Sequence, residues 1–329
     1  MFIYYFIKFK LKLFLPNIFW HNMSKIKTLV TPTNWGQVEI KSSEKRSVYI
    51  IRRRPPGGGL FSNVKHVLEG IVYASEHDYI PAVDMKNYPT SYSSLRKFND
   101  TYNAWEYFFE PLSSLSLESA YASESLILSA GDRILLNSPT SGRNLQFIFD
   151  KTILQNIHLI YKKNIKLNSF TIQFIQDLMN FIGINTNNSL GVFYRGDKRY
   201  VELGHTKQPS LEIVVDDVKL FIVKYSINNI FLSTDSKHAR EVFEREFGTS
   251  VYTNFRTDFN QNNTEILNFF SKYDIPTTEI STTLSYLAEI YISAMLPYNI
   301  SSITNGSAFI HIINGGQFKA SKLYNLGTF

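Results

Sequence analysis

Short runs of β-branched and aromatic residues alternate with amphipathic helical stretches along most of the chain, and that alternation leaves few architectures open. "SVYII" at 47–51 reads as a strand. A glycine loop, "PPGGGLFSN", follows it, then a helical stretch from Ser62 to about His77 with Val64, Val67, Leu68, Ile71 and Val72 on one face. "YIPAVD" is the next strand, which completes a βαβ unit. The region from Tyr88 to about Asp150 reads as loops and short helices, and residues 151–182 are helical in pattern. The alternation then restarts. "LGVFY", "NIFLST", "SVYT" and "NISSIT" read as strands, and "PSLEIVVDDVKLFIVKY", "DSKHAREVFEREF", "LSYLAEIYISAML" and "GSAFIHII" as the helices between and after them. The polar stretch "INTNNS" at 184–189 is the best linker. The expected class is therefore α/β with parallel sheets, in two Rossmann-like domains. The expected boundaries are an N-terminal extension at 1–45, a first domain at 46–183 and a second at 184–329.

The 329 residues suffice for two domains, and 44% hydrophobic with 15% aromatic content can fill two cores. A net charge of +6, spread along the chain, suits anionic substrates or membrane surfaces and gives no reason to expect nucleic acid as a partner. The absence of cysteine excludes disulfides, thiolate metal ligands and cysteine nucleophiles, and fits a reducing cytoplasm. The N-terminal "MFIYYFIKFKLKLFLPNIF" is broken by Lys8, Lys10, Lys12 and Pro16, too soon for a spanning helix. Two readings stand: a peripheral segment in a membrane interface with its lysines at anionic head groups, or an upstream extension with Met23 as the true start. Six Asn-x-Ser/Thr sequons accompany a high asparagine content and are explained by it.

Three strand ends in the second half carry polar groups. "GVFYRGDKRYVELGH" ends a core strand in a knot of charge: Arg195, Asp197, Lys198 and Arg199, with Glu202 and His205 close behind. "FLSTDS" supplies Asp235, and "SSITNGSAF" supplies Thr304, Asn305 and Ser307 ahead of a helix. Parallel strands place such ends on one rim. A helix N-terminus with hydroxyls is a phosphate cradle, and an arginine beside it supplies bidentate pairing. The pattern points to a nucleotide or diphosphate ligand. Plainer readings stand beside it: an Arg195–Asp197 ion pair, Glu202 as a solvated acid, Asp235, Thr304 and Ser307 as helix caps, "RRR" at 52–54 as a solvated strand end, and "NAWEYFF" as core. No residue pattern indicates a metal site, and the signatures of kinases, dehydrogenases and hydrolases are absent.

These same residues resemble the fucosyltransferases, in particular the α1,6-fucosyltransferase and O-fucosyltransferase superfamily and its bacterial surface-polysaccharide relatives. "GVFYRGDK" is similar to the family's G-V-H-x-R-x-x-D-K, "GHTKQPSLE" to its Gly-His-Pro-x-x-Pro-Ser stretch, "IFLSTD" to its Thr-Asp strand end and "SSITNGSAF" to its Leu-Ser-Asn-x-Ser-Ala-Phe turn. "GGGLFSNVKHVLEGIVYASEHDYIPAVDMKNYPT" is similar to its first βαβ unit, so the likeness runs from about residue 48 to 315. The resemblance implies a GT-B type fold, two Rossmann-like domains facing across a cleft, and metal-free transfer of fucose from GDP-fucose with inversion. The acceptor would be a sugar of a bacterial surface polysaccharide, a lipid-linked precursor included. It implies catalytic roles for Arg195, Lys198 and Glu202. Donor contacts would come from Gly59, Asn63, Arg195, Asp197, Asp235, Glu289, Thr304, Asn305 and Ser307, and acceptor-side roles from Asp84 and His205. The chain departs from the pattern at Phe193, where the family has histidine, in the spacing of Arg195 and Asp197, and at Glu289, one residue out of register. A transferase for another nucleotide sugar, or a non-catalytic carbohydrate-binding protein, stands as the alternative.

Overall fold

The computed structural model describes residues 36–40, 46–131, 145–196, 206–253 and 264–327. The chain divides into two compact units. One runs to Asn144 and includes Lys163–Asn168; the other comprises Leu145–Lys162 and Ser169–Phe329. The division falls earlier than the 183/184 boundary expected from sequence, because most of the helical 145–182 region packs with the second unit.

In the first unit, β1 (Val38–Ile40), β2 (Val48–Ile51), β3 (Ile80–Val83) and, after the short helix α2 (Leu117–Tyr121), β4 (Leu126–Leu128) form a four-stranded sheet in the order β1-β4-β2-β3. β2 pairs parallel with β3 and β4, and β1 runs antiparallel to β4, so the sheet is mixed rather than wholly parallel. Helix α1 (Leu60–Glu76) crosses between β2 and β3. Its buried face carries Leu60, Phe61, Val64, Val67, Leu68 and Ile71, the spacing expected of a helix laid on a sheet. Gly70 lies on that face, where a Cβ would come within 2.7 Å of Ile51. The aromatic run Trp105, Tyr107, Phe108 and Phe109 is wholly inside the unit, which settles its reading as core.

In the second unit, helices α3 (Lys151–Asn164) and α4 (Ser169–Ile182) replace the single helical region seen in the sequence. The four residues between them leave for the first unit, where Lys166 accepts a backbone bond from Glu110 and Asn168 donates one to Phe108. The sheet follows: β5 (Ser189–Tyr194), α5 (Leu211–Tyr225), β6 (Asn229–Thr234), α6 (Lys237–Phe247), β7 (Val251–Thr253), α7 (Thr264–Ser271), α8 (Thr278–Met295), β8 (Tyr298–Ser302), α9 (Asn305–Asn314) and β9 (Ala320–Tyr324). All five strands are parallel, in the order β7-β6-β5-β8-β9. Every residue of β5 and β8 is buried, as helices on both faces require; β5 is a nearly continuous apolar run, whereas β8 buries Asn299, Ser301 and Ser302 among its five residues. Ser210 caps α5, its side chain accepting from the Ile213 N–H. The helix ends at Ser226, whose φ of +51° reverses the chain into β6.

Among the described residues two histidines are buried neutral, one in each unit. Burial pulls His66 down to about 4, against the bond its ring donates to the Arg52 carbonyl at 2.8 Å, and burial pulls His311 to about 4. In the unfolded chain both imidazoles take a proton near pH 6.5. The unfolded state therefore binds more protons between pH 6.5 and 4, so stability is full above 6.5 and falls as pH drops through that window. The loss reaches about 2 kcal/mol per histidine at pH 5. Thermal unfolding at pH 7 and pH 5 measures it, and the fall should be smaller in His311→Leu; an equal fall would show that other groups govern the acid side.

Candidate functional site

The order of the second sheet fixes where a ligand can sit. From β5 the chain builds outward through β6 to β7, then crosses back to place β8 and β9 on the other side. The helices following β5 and β8 thus diverge, and a crevice opens beyond the carboxyl ends of these strands. The three polar strand ends of the sequence converge there. Tyr194 pairs with Thr234 across β5 and β6, and Phe193 with Ser301 across β5 and β8, so Arg195, Asp235 and the β8 turn follow on one rim.

Each strand end is locked by its own bonds. The Gly196 N–H donates to Asp235 Oδ1 at 2.6 Å. Ser236, not Asp235, caps α6 by accepting from the Ala239 N–H at 3.2 Å. The exposed Asp235 carboxylate is therefore not a cap: it fixes the backbone just after Arg195. A Cβ on Gly196 would meet the Ser236 Cβ at 2.6 Å, so the close approach of the two ends requires glycine. At β8, Thr304 and Ser307 form a reciprocal capping box: Ser307 N–H to the Thr304 hydroxyl at 3.1 Å, and Thr304 N–H to the Ser307 hydroxyl at 2.8 Å. The intrahelical ladder of α9 begins with Ala308, so the amides of Asn305 and Gly306 precede it at the helix's positive end.

Asp197, Lys198, Glu202 and His205 lie outside the described residues, but the residues that bracket them do not. Gly196 holds one end at β5. At the other, the Thr206 hydroxyl donates to the Ile303 carbonyl, Ser302 donates to the Gln208 side chain, and the Lys207 N–H donates to Gly327 at 2.9 Å. The two residues flanking 197–205, Gly196 and Thr206, are thus both bonded at this rim, one beside β6 and one beside the end of β8. Glu289 is placed differently from a rim residue. It is fully buried on α8 and accepts from the Ser233 hydroxyl near the end of β6.

The remaining expected residues belong to the first unit, at the carboxyl ends of β2 and β3. Asn63 is wholly buried and organises the glycine loop: its Oδ1 accepts from Arg53 at 2.8 Å and from the Gly58 N–H at 3.3 Å, while its Nδ2 donates to the Gly58 carbonyl at 3.0 Å and the Tyr92 hydroxyl at 3.1 Å. Gly57, at φ +67°, carries the turn that brings the loop onto Asn63, and Gly59 is the N-cap of α1. Asp84 is also wholly buried. It accepts from the backbone N–H groups of Lys86 and Asn87, the Asn87 amide and the Tyr121 hydroxyl. The basic run 52–54 divides. Arg52 is inside, donating to the Ser129 and Gly36 carbonyls and lying over the Tyr88 ring, and Arg54 is exposed. Tyr286 of α8, for which the sequence suggested no role, lies against the first turn of α9. Among the described residues no group of three or more His, Cys, Asp or Glu is placed to hold a metal ion, and no helix is long and apolar enough to cross a membrane.

Two Rossmann-like α/β units, the second with a parallel sheet that reverses order at a polar rim, define the GT-B class of fold. No protein-family model and no curated protein matches the sequence. Among solved structures, POFUT1 in complex with GDP matches with a TM-score of 0.51 at 10% identity, over 84% of this chain and 99% of that one. NodZ α-1,6-fucosyltransferase soaked with GDP-fucose matches with a TM-score of 0.46 at 16% identity, over 82% of this chain and 92% of that one. NodZ from Bradyrhizobium gives 0.45 at 17% over the same shares. The POFUT1 likeness shows the two-unit GT-B fold.

Proposed function

We propose that the protein is an inverting glycosyltransferase that moves fucose from GDP-fucose to a sugar acceptor. The carrying observation is the convergence, at the reversal point of the second sheet, of Arg195, the Asp235-anchored Gly196 and the capped N-terminus of α9. That set suits a diphosphate: the α9 amides and helix dipole meet one face of it, and Arg195 supplies charge and paired donors. Gly196 and Thr206, which flank the charged residues 197–205, are both bonded at this rim, and that favours a role for those residues beside the ligand. GDP, named with the solved POFUT1 structure, supports guanine as the base, and the sequence resemblance favours fucose as the sugar.

In this reading the acceptor hydroxyl attacks the anomeric carbon from the face opposite the nucleotide, with Glu202 receiving its proton. The bond from that carbon to the β-phosphate oxygen breaks with inversion, and Arg195 and Lys198 stabilise the charge arriving on GDP. Asn305, Asp197 and Asp235 complete the donor side. Thr304 and Ser307 act through the cap that shapes the turn, Glu289 through its hold on Ser233, and Gly59 and Asn63 through the loop they shape. Asp84 and His205 are the residues the sequence resemblance assigns to the acceptor side, and a bacterial surface polysaccharide is the acceptor class it favours. No bound metal is needed, because fixed cationic and amide groups take over charge neutralisation.

Purified protein offered GDP-fucose, other GDP-sugars and UDP-sugars, with and without EDTA, tests the reading. Release of fucose or its transfer to a glycan from GDP-fucose should persist in EDTA. Loss of turnover in EDTA restored by Mn²⁺ would remove the metal-free part, and preference for another sugar nucleotide would replace the donor. A folded protein that turns over none of them supports a binding protein instead.

A further inference from the structure

We infer that Tyr286 is a donor-binding residue, its hydroxyl donating a hydrogen bond to the diphosphate over the first turn of α9, and that Gly306 is glycine to leave that hydroxyl in place. The inference rests on the reading of this rim as a nucleoside diphosphate site. Tyr286 is half-buried on α8, one turn before Glu289 and nearer the carboxyl edge of the sheet. Its ring lies 6.4 Å from that of Phe193, two residues ahead of Arg195. A Cβ built on Gly306 would fall 2.1 Å from the Tyr286 hydroxyl oxygen, 3.2 Å from its Cζ and 3.1 Å from the Phe193 Cζ.

The glycine needs an explanation. Within a helix glycine is a poorer choice than alanine. Gly306 is absent from the chain's positive-φ glycines, so its backbone conformation does not call for one. What excludes a side chain is the phenol oxygen. That oxygen therefore sits directly on the helix turn whose amides face the crevice. The hydroxyls of Thr304 and Ser307, the polar groups the sequence offers for a phosphate, bond to one another in the capping box. Recognition at this turn passes to the Asn305 and Gly306 amides and to the phenol beside Gly306. An O–H donor to an anionic phosphate oxygen makes a short, charge-assisted bond.

Calorimetric GDP affinity and donor turnover of Tyr286→Phe, Gly306→Ala and the double variant test this, with circular dichroism to confirm folding. Tyr286→Phe should weaken GDP binding about tenfold, the scale of one charge-assisted hydrogen bond. Gly306→Ala should do at least as much, because its methyl group displaces the hydroxyl. Removing the hydroxyl first leaves contacts of 3.1–3.2 Å, which small shifts relieve. Gly306→Ala should therefore add little in the Tyr286→Phe background. Wild-type affinity and turnover in Tyr286→Phe, with Arg195→Ala impaired, overturns the role of Tyr286 and spares the diphosphate reading. Full additivity of the two changes overturns the link between Tyr286 and Gly306. A wild-type protein that binds no nucleoside diphosphate overturns the parent reading and this inference together.

Discussion

Arg195→Ala should lower kcat by a factor of roughly 10²–10³, the cost of losing a donor aimed at developing negative charge, and should also weaken GDP binding. The arginine follows β5 directly, and the bond from Gly196 to Asp235 at 2.6 Å fixes the backbone behind it. Its charge is thereby held where the parallel sheet reverses order. As the sugar–oxygen bond breaks, negative charge grows on the departing phosphate, so a guanidinium there stabilises the transition state more than the bound donor. Both kcat and kcat/KM fall in that case, whereas a residue that only grips the donor would raise KM alone. Arg195→Lys should recover part of the rate, since an ammonium keeps the charge and loses the planar fork. The fold should survive, because β5 is buried along its length and Arg195 lies beyond its end. A folded Arg195→Ala protein with wild-type kcat would make the arginine structural.

Asp84→Ala should cost the first unit about 3–5 kcal/mol of stability, the range for uncovering the partners of a buried charge. The side chain is completely buried, and its oxygens receive four hydrogen bonds, at 3.0, 2.8, 2.9 and 2.6 Å. Two come from backbone amides just after β3, so the carboxylate closes the turn that ends the strand. The shortest comes from Tyr121 on α2, whose phenol is held well above its usual pKa by burial and by the Asp84 charge. Alanine would strand all four donors. Urea unfolding followed through Trp105, buried in the same unit, measures the loss, while GDP affinity of the folded fraction should stay at the wild-type value. Unchanged stability with a raised KM for the acceptor would instead support the acceptor-side role that the family resemblance implies for Asp84.

Strands β5 and β6 are legible in the sequence because a parallel sheet buried on both faces needs continuous apolar runs, and "LGVFY" and "NIFL" supply them; β8, with Asn299, Ser301 and Ser302 buried, is legible only through its isoleucines and the turn that follows. β1 and β4 are three residues each, too short to show a period, and the edge strand "ASKLY" of β9 is mostly half-exposed and mixed in character. The rim was legible in the sequence because Arg195 stands just past the apolar run of β5, and Asp235 and Thr304 stand just past strands that end in hydroxyl residues. What those residues do locally was not. Whether Asp235 or Ser236 caps α6 depends on a backbone partner 39 positions away, and Asn63 meets Tyr92 across 29. Glu289 bonds Ser233 across 56. Tyr286 shares helical spacing with core residues in "LSYLAEIY", and only its closeness to Gly306 sets it apart.

The central claim is that the rim of the second unit holds a nucleoside diphosphate through Arg195. Thermal unfolding of the wild type and Arg195→Ala with GDP, UDP, ADP and CMP tests it most directly. A ligand at a hundred times its Kd adds about 2.7 kcal/mol to stability. GDP should raise the wild-type Tm more than the other nucleotides do, and the rise should be largely lost in Arg195→Ala. An equal rise in both proteins, or no rise with any nucleotide, would contradict the claim.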